Sequence, residues 1–302
     1  MLYTRLNTKR KMRKNATLQR EVDTFLATGD HDLLYRNWPG RHFFERAEYA
    51  TECFRSALLS LVRARSSQTA LSLPRVDPPH DIPSFVRAKV EPMVRGLFRR
   101  DECGPVLKLL ENSVVFILPE SIEALIQTEN LENAWSLANI YLTGIGAERT
   151  GEQAPNAVGM SVETKCFVSH LYFTETNPFF DWVVHEAAHI FHNVKRKTAG
   201  LRSTRRREWL LPIDFRHRET FAYACEVYSR ILELANRPKD RKPLLEEAKA
   251  CLRPPGDMVD FDEYVAILSN AVARRNGWKA ILEGCSAMKK SRKPSQSGLA
   301  PS

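Results

Sequence analysis

The segment at residues 177–193, NPFFDWVVHEAAHIFHN, restricts the possible folds of this chain more than any other stretch. Its apolar side chains fall on almost every side of a helix, which predicts a helix that is buried all round. Asn177 and Pro178 are favoured residue types at the N-cap and at the first helical position, so we expect the helix to begin there. The fold must therefore bury this helix and supply partners for the polar side chains that it carries.

Those polar side chains belong to a five-residue pattern, HEAAH, which begins at His185 and ends at His189. Residues four apart lie on one face of a helix, so the two imidazoles can bind a single Zn²⁺ ion at about 2.0–2.1 Å each. Glu186 directly follows the first histidine, and from there its carboxylate reaches a water molecule on the metal. The pattern predicts a metal site. The competing interpretation is a pair of core histidines that are hydrogen-bonded to their neighbours.

A catalytic zinc ion needs three protein ligands and one open position, so a third ligand must come from elsewhere. Residues 217–234 are predicted to form a helix that offers Glu219 and Glu226, seven residues apart and so on nearly the same face. We prefer Glu219 as the ligand because it lies near the helix start. Glu226 would then accept a hydrogen bond from a ligand histidine. The reverse assignment is the alternative.

Other side chains near the pattern are candidates for further roles. His192 lies about two turns after His185, too far along a straight helix to share one ion with both histidines, so a supporting or solvent-facing role is expected. His217 is a weaker alternative ligand. Tyr223 lies one turn after Glu219, where it can stabilise an oxyanion, although such a tyrosine is more often a core residue.

The remaining sequence predicts an α+β fold that is predominantly α-helical. Two apolar segments, at residues 114–118 and 164–173, are expected to be strands, and the second leads directly into the metal helix. The periodicity of apolar residues predicts helices at residues 17–27, 41–65, 84–100, 106–110, 120–127, 131–142, 177–193, 217–234 and 261–282. Pro92 is expected to break or kink the helix that contains it.

We expect four parts along the chain. Residues 1–15 are predicted to be a disordered basic arm, and residues 16–83 a helical region that ends in a Pro-rich connection. Residues 84–284 would form the region that contains the metal site. Residues 285–302 are predicted to be a disordered tail.

The net charge of +9 is unevenly distributed. Residues 1–20, 195–207 and 285–302 together carry 18 basic residues and no acidic one, so the rest of the chain has a net charge of −9. A nucleic-acid interface would need basic residues interleaved with aromatic ones on a folded face. None of the three segments has that pattern, so nucleic-acid binding is not the favoured interpretation.

The six cysteines are scattered and form no C-x-x-C pair, which argues against a disulfide scaffold and favours a reducing, cytoplasmic environment. The chain contains no run of 18 or more apolar residues, so no membrane span is expected. Its basic N-terminus is not followed by the apolar segment of a secretory signal.

HEAAH followed by RETFAYACE on a later helix resembles the gluzincin type of zincin metalloprotease, over residues 160–235. The resemblance implies that His185, His189 and Glu219 bind one zinc ion and that Glu186 is the general base and acid for hydrolysis of a protein or peptide substrate. It implies a zincin-like active-site helix next to a small sheet. It also implies that residues 164–173 are an edge strand that binds an extended peptide by β-addition.

Two related groups of metalloenzymes, the metzincins and the peptide deformylases, do not match this sequence. The glycine and third histidine of metzincins do not follow HEAAH, and Glu283-Gly284-Cys285 lies on the wrong side of HEAAH for a peptide deformylase.

Two other functions compete with the peptidase hypothesis. One is a regulatory or interaction protein in which the zinc site is structural or inactive and the N-terminal helical region binds a partner. A fourth protein ligand such as His192 or Cys225 would favour this alternative. The other is a nucleic-acid binder that uses the basic segments and binds in a salt-dependent manner.

Overall fold

The computed structural model describes residues 2–69, 78–205, 207–252 and 254–286, and the side chains of these residues from 15 onward. The chain forms two compact units, and neither is continuous in sequence. The first contains Met1–Phe85 and Ser113–Asn177, and the second contains Val86–Asn112 and Pro178–Ser302. The chain first passes from one unit to the other after Phe85, two residues after the boundary expected at residue 83. Residues 113–177, however, belong to the first unit, whereas the HEAAH segment at residues 185–189 belongs to the second.

Eleven α-helices and three strands are present in the described part of the chain. In order they are α1 (Leu2–Thr28), α2 (Phe43–Thr69), α3 (Ile82–Leu97), α4 (Arg100–Glu111), β1 (Val114–Ile117), α5 (Ile122–Thr128), α6 (Leu131–Gly144), β2 (Gly159–Val162), β3 (Lys165–Ser169), α7 (Trp182–Asn193), α8 (Arg218–Leu234), α9 (Arg241–Cys251), α10 (Phe261–Ala273) and α11 (Gly277–Cys285). The expected α+β class with predominant helix is confirmed.

The three strands form one small sheet in the first unit, in the order β1-β3-β2. β3 runs parallel to β1, with Val114 opposite Cys166, and antiparallel to β2, with Met160 opposite Phe167. Since β3 has a neighbour on each side, it has no free edge. The expectation of an edge strand at residues 164–173 is therefore wrong, and the strand also ends early, at a short 3-10 helix (His170–Thr174).

The core of the first unit is built on aromatic side chains from α1, α2 and α6. The Phe54 ring on α2 lies 4.8 Å from that of Phe25 on α1 and 5.0 Å from that of Trp38. Trp135 on α6 is also buried, and its indole N–H donates to the carbonyl of Leu26 at 2.9 Å. The apolar α2 residues Ala50, Phe54, Leu58 and Val62 are buried in this core.

In the second unit, α8 is the central helix and packs against α7, α9, α10 and α11. Its buried face includes Phe221, Cys225 and Tyr228. The Tyr228 hydroxyl accepts a hydrogen bond from the backbone N–H of Gly277 at 3.2 Å, where α11 begins. A Cβ at Gly277 would lie 2.4 Å from that ring, so only glycine allows this close approach.

Several predicted boundaries were wrong. One helix was expected at residues 261–282, but the chain breaks it after Ala273 and restarts at α11, where the Asn276 side chain caps the N-terminus. No helix was predicted within residues 236–258, yet they contain α9. Pro92 lies inside α3, which continues through it.

The predictions of a disordered arm at residues 1–15 and a disordered tail at residues 285–302 have different outcomes. α1 begins at Leu2, so the backbone is helical over most of the segment predicted to be a disordered arm. Met1, residues 70–77 of the Pro-rich connection, and residues 287–302 of the predicted tail lie outside the described residues.

Candidate metal centre

The metal helix begins later than the sequence suggested. Asn177 and Pro178 were expected to start it, but α7 starts at Trp182 and its N-cap is Asp181, whose Oδ1 accepts from the backbone N–H of Val184 at 3.3 Å. Pro178 instead offers its carbonyl to Nε of Arg230, at 2.7 Å. Both Asn-Pro and Asp are good start signals, and the buried Asp181 is the one that the second unit uses.

Three predicted ligand side chains lie together in the second unit. Nε2 of His185 is 3.2 Å from Nε2 of His189, and Oε2 of Glu219 lies 3.8 Å from the first nitrogen and 3.6 Å from the second. Ligand atoms around a tetrahedral zinc ion at 2.0–2.1 Å lie ~3.3 Å apart. Within the described residues this is the one cluster of three histidine, cysteine or acidic side chains with metal-ligand spacing.

Glu226 occupies the other side of the His185 ring. Its Oε2 lies 3.1 Å from Nδ1 of His185, and its Oε1 accepts the backbone N–H of Asp181 at 2.9 Å. The carboxylate is almost fully buried. Of the two glutamates considered from the sequence, Glu219 is therefore the one that faces both Nε2 atoms, and Glu226 is the one that orients the His185 ring through Nδ1.

The two histidines have opposite electrostatic environments. Burial alone would lower the pKa of His185, but the Glu226 carboxylate, together with Glu186 and Glu219, raises it to about 9. Burial lowers the pKa of His189 well below its usual value, and the charge on His185 adds to this effect. In the metal-free site, His185 thus carries a proton at Nε2 and His189 presents a lone pair, which suits the 3.2 Å contact between them.

Glu186 and Tyr223 border the cluster. Glu186 is buried on α7, and its negative charge raises the pKa of both His185 and Tyr223. The Tyr223 ring packs edge-on against His185, with ring centroids 4.5 Å apart. Burial raises the pKa of the Tyr223 phenol, and the carboxylates of Glu226, Glu219 and Glu186 raise it further. Its hydroxyl therefore stays protonated and can donate a hydrogen bond.

The other candidate ligands do not join this cluster. Nε2 of His192 contacts Nδ1 of His189, at 3.0 Å. His217 is paired through its Nε2 with Glu263 at 3.2 Å. Cys225 is fully buried on α8, and burial raises its pKa well above the usual value, which disfavours the thiolate that a metal requires. Among the described residues, the cluster thus has three ligand side chains and no fourth.

One supporting interaction was not recognised in the sequence. Lys89 on α3 places Nζ 3.0 Å from Oδ2 of Asp181 and 3.3 Å from Oε1 of Glu233. Burial raises the pKa of Asp181, and Lys89 opposes that rise. Lys89 lies 92 residues before Asp181, so no local pattern could have linked the two.

The basic segment at residues 195–207 is more structured than a solvated charge run. Arg196 is almost fully buried, forms an ion pair with Glu102 on α4, and donates through Nε to the carbonyl of Arg202 at 2.8 Å. Arg207 lies 3.3 Å from the same carboxylate, and Lys195 pairs with Glu208 at 2.8 Å. Arg196 therefore stabilises the unit and is not available to an anionic partner.

No known protein family matches this chain, and comparison with curated proteins and with solved structures found no similar protein. In the described part of the chain, no helix has the length and apolar character needed to cross a membrane. All six cysteines are free thiols.

Proposed function

We propose that this protein is a zinc-dependent metallopeptidase that hydrolyses peptide bonds with a metal-activated water molecule. The observation that carries the proposal is the His185–His189–Glu219 cluster. Its three ligand atoms lie 3.2, 3.6 and 3.8 Å apart, close to the ~3.3 Å expected around one tetrahedral ion, and its donor set of two imidazoles and one carboxylate is typical of catalytic zinc. Three ligands leave a fourth position for water or substrate, which favours an enzyme over a closed structural site.

The surrounding residues fit a bound cation. Glu226 holds Nδ1 of His185 and leaves Nε2 for the metal, which is how ligand histidines are usually oriented. The side chains of His185 and His189 are 12% and 11% exposed, whereas Glu219 is 27% exposed. The site is thus largely enclosed by protein, and Glu219 is the most exposed of the three candidate ligands.

When bound, a zinc ion lowers the pKa of a coordinated water to about 7 and polarises a carbonyl group. Glu186 would act as the general base that takes a proton from the attacking water, as the oxygen of this water adds to the peptide carbonyl carbon. Tyr223 donates a hydrogen bond to the carbonyl oxygen as it gains negative charge. Glu186 then delivers the proton to the amine as the C–N bond breaks, so that the elements of water are divided between the two products.

The proposal is tested by metal analysis of the purified protein and by a peptide-library digest in which new N-termini are identified. We expect one zinc per chain in the wild type, loss of zinc in His185→Ala, and cleavage that is lost in Glu186→Gln although zinc is retained. Glu208→Gln changes a surface carboxylate paired with Lys195 and serves as the control, which should match the wild type.

Two results would contradict the peptidase. Wild-type protein without stoichiometric zinc would exclude the metal centre itself. Zinc-loaded protein that cleaves no peptide, or cleaves equally as Glu186→Gln, would exclude peptide hydrolysis and favour the regulatory alternative with a non-catalytic zinc site.

The expected substrate is a protein or peptide, and the free cysteines agree with a reducing, cytoplasmic setting. Nucleic acid is not the partner we propose, because Lys195, Arg196 and Arg207 pair with acidic residues of the same unit.

A further inference from the structure

The ring of His189 has a partner at each of its nitrogens. Nε2 faces His185 and Glu219, and Nδ1 lies 3.0 Å from Nε2 of His192, one turn later on α7. Nδ1 of His192 in turn lies 3.0 Å from Oδ1 of Asn193. His192 is only 5% exposed, so these contacts replace water around its ring.

The hydrogen-bond directions in this chain follow from its last member. The amide oxygen of Asn193 only accepts, so Nδ1 of His192 must carry the hydrogen. A histidine that gives its Nε2 lone pair to a metal carries its hydrogen on Nδ1, so Nδ1 of His189 must donate. Nε2 of His192 therefore accepts from Nδ1–H of His189, and Nε2 of His189 keeps its lone pair for the metal.

We propose that His192 and Asn193 are positioning residues that fix the tautomer and orientation of His189 through a neutral hydrogen-bond relay. This inference rests on the proposed metal centre. The two ligand histidines are thus held by different means: His185 by the Glu226 carboxylate, and His189 by an uncharged imidazole. Glu186, Glu219 and Glu226 already place three carboxylates around the site. A neutral relay orients His189 without adding a fourth carboxylate to the site.

Zinc affinity, measured by competition with a chromogenic chelator, tests the relay through replacements at residue 192. His192→Phe keeps a ring of similar size but has no acceptor, and we expect it to bind zinc about 10–100-fold more weakly. His192→Gln offers an amide oxygen near the position of Nε2 and should recover most of the affinity. The cobalt-substituted His192→Phe protein should also show an altered visible absorption band, since that band reports ligand geometry. Zinc affinity in His192→Phe equal to that of the wild type would overturn the relay.

Asn193→Ala provides a test that leaves both histidines in place. We expect a smaller loss of zinc affinity than in His192→Phe, because Nδ1 of His192 loses its acceptor and the ring can adopt the other tautomer. Lys195→Gln, two residues further along the chain, is the matched control and should bind zinc as the wild type does. If His192→Phe does not fold, wild-type affinity in Asn193→Ala decides against the relay.

Histidine tautomers can also be read directly from a long-range ¹H–¹⁵N correlation spectrum of the wild-type protein. The relay requires that His192 is the Nδ1–H tautomer, and an Nε2–H tautomer would contradict it. The outcomes separate the two proposals. Wild-type protein that binds no zinc contradicts the proposed function, whereas zinc-binding wild type with an unaffected His192→Phe contradicts the relay alone.

Discussion

Glu219 and Glu226 lie on nearly the same face of α8, yet they contact different nitrogens of one imidazole. Oε2 of Glu219 is 3.8 Å from Nε2 of His185, and Oε2 of Glu226 is 3.1 Å from Nδ1. The offset of seven residues separates the two positions by about two turns of helix, which is about 10 Å. That spacing lets one helix supply both a candidate metal ligand and the group that orients another ligand.

The proton on His185 predicts a pH-dependent zinc affinity. Its pKa of about 9 means that, below that pH, zinc must displace a proton from Nε2. Apparent affinity should therefore rise about tenfold per pH unit from pH 6.5 and level off above about 9. For the metal-free protein, the same shift contributes stability below pH 6.5 that is lost as the pH rises through about 9.

Zinc titrations across this range provide the measurement, with Glu226→Gln as the comparison. Without the carboxylate that raises the pKa of His185, the affinity should level off at a lower pH. If the zinc affinity of the wild type does not change between pH 6.5 and about 9, His185 is not protonated in this pH range.

Tyr223→Phe should separate catalysis from metal binding. The phenol is expected to donate to the developing oxyanion and is not one of the three clustered ligands, so we expect kcat to fall about 100-fold while zinc affinity stays unchanged. The measurement is steady-state hydrolysis of a cleaved peptide together with zinc titration. Unchanged kcat would assign Tyr223 a packing role only.

At the scale of elements, α7 is held in place at its N-terminus by Asp181. This residue caps the helix through Oδ1, donates its backbone N–H to Glu226, and pairs with Lys89 on α3. The start of the metal helix, the orientation of His185 and the position of α3 are therefore linked through one buried residue. The sequence pattern gave no indication of this connection, because its members are far apart in the chain.

Lys89→Met should destabilise the protein, because it leaves the Asp181 carboxylate buried without its cation. We expect a loss of about 3 kcal/mol in the free energy of unfolding near neutral pH, measured by denaturant titration. The pKa of Asp181 is already raised by burial and should rise further, so the variant is penalised when the carboxyl is ionised. The deficit should shrink as the pH is lowered and Asp181 is protonated.

The double variant Lys89→Met, Asp181→Asn is the control for this interpretation. The asparagine side chain introduced at position 181 can still cap α7, and the double variant no longer has the Asp181 carboxylate that Lys89→Met deprives of its cation. It should therefore recover much of the lost stability. A double variant no more stable than Lys89→Met would show that Lys89 acts through packing of its aliphatic chain.

At the scale of the whole molecule, the candidate metal centre belongs to one unit only. Every clustered ligand and its contacting partners lie in the second unit, whereas the sheet lies in the first. Stability and metal binding should therefore respond differently to core substitutions in the two units.

Phe54→Ala and Phe191→Ala form a matched pair for this expectation. Both phenylalanines are fully buried, Phe54 in the first unit and Phe191 on α7 in the second. Each replacement should cost about 3–5 kcal/mol of stability. Only Phe191→Ala should weaken zinc binding of the folded protein, because its ring packs on Phe221 of α8 beside the site. Equal loss of zinc affinity in both variants would contradict the assignment of the site to one unit.

Much of the local structure could be predicted because helix periodicity is a short-range property. The apolar positions of α2, α6 and α8 predicted those helices, and the run at Val114 predicted β1. The helix α9 was missed because it lies in a segment rich in proline and charged residues, and the break at Asn276 was missed because apolar positions recur on both sides of it. The start of α7 was misplaced because two adjacent cap signals compete, and burial of Asp181 selects the later one.

The sequence by itself determined the pairing of His185 and His189, since residues four apart on a helix must lie on one face. It also narrowed the third ligand to two glutamates on one later helix. The tertiary structure decided which glutamate faces both Nε2 atoms, because that depends on how far α8 is shifted along α7. It also placed β3 in the centre of the sheet and Lys89 beside Asp181, as strand order and ion pairing join residues that are distant in the chain.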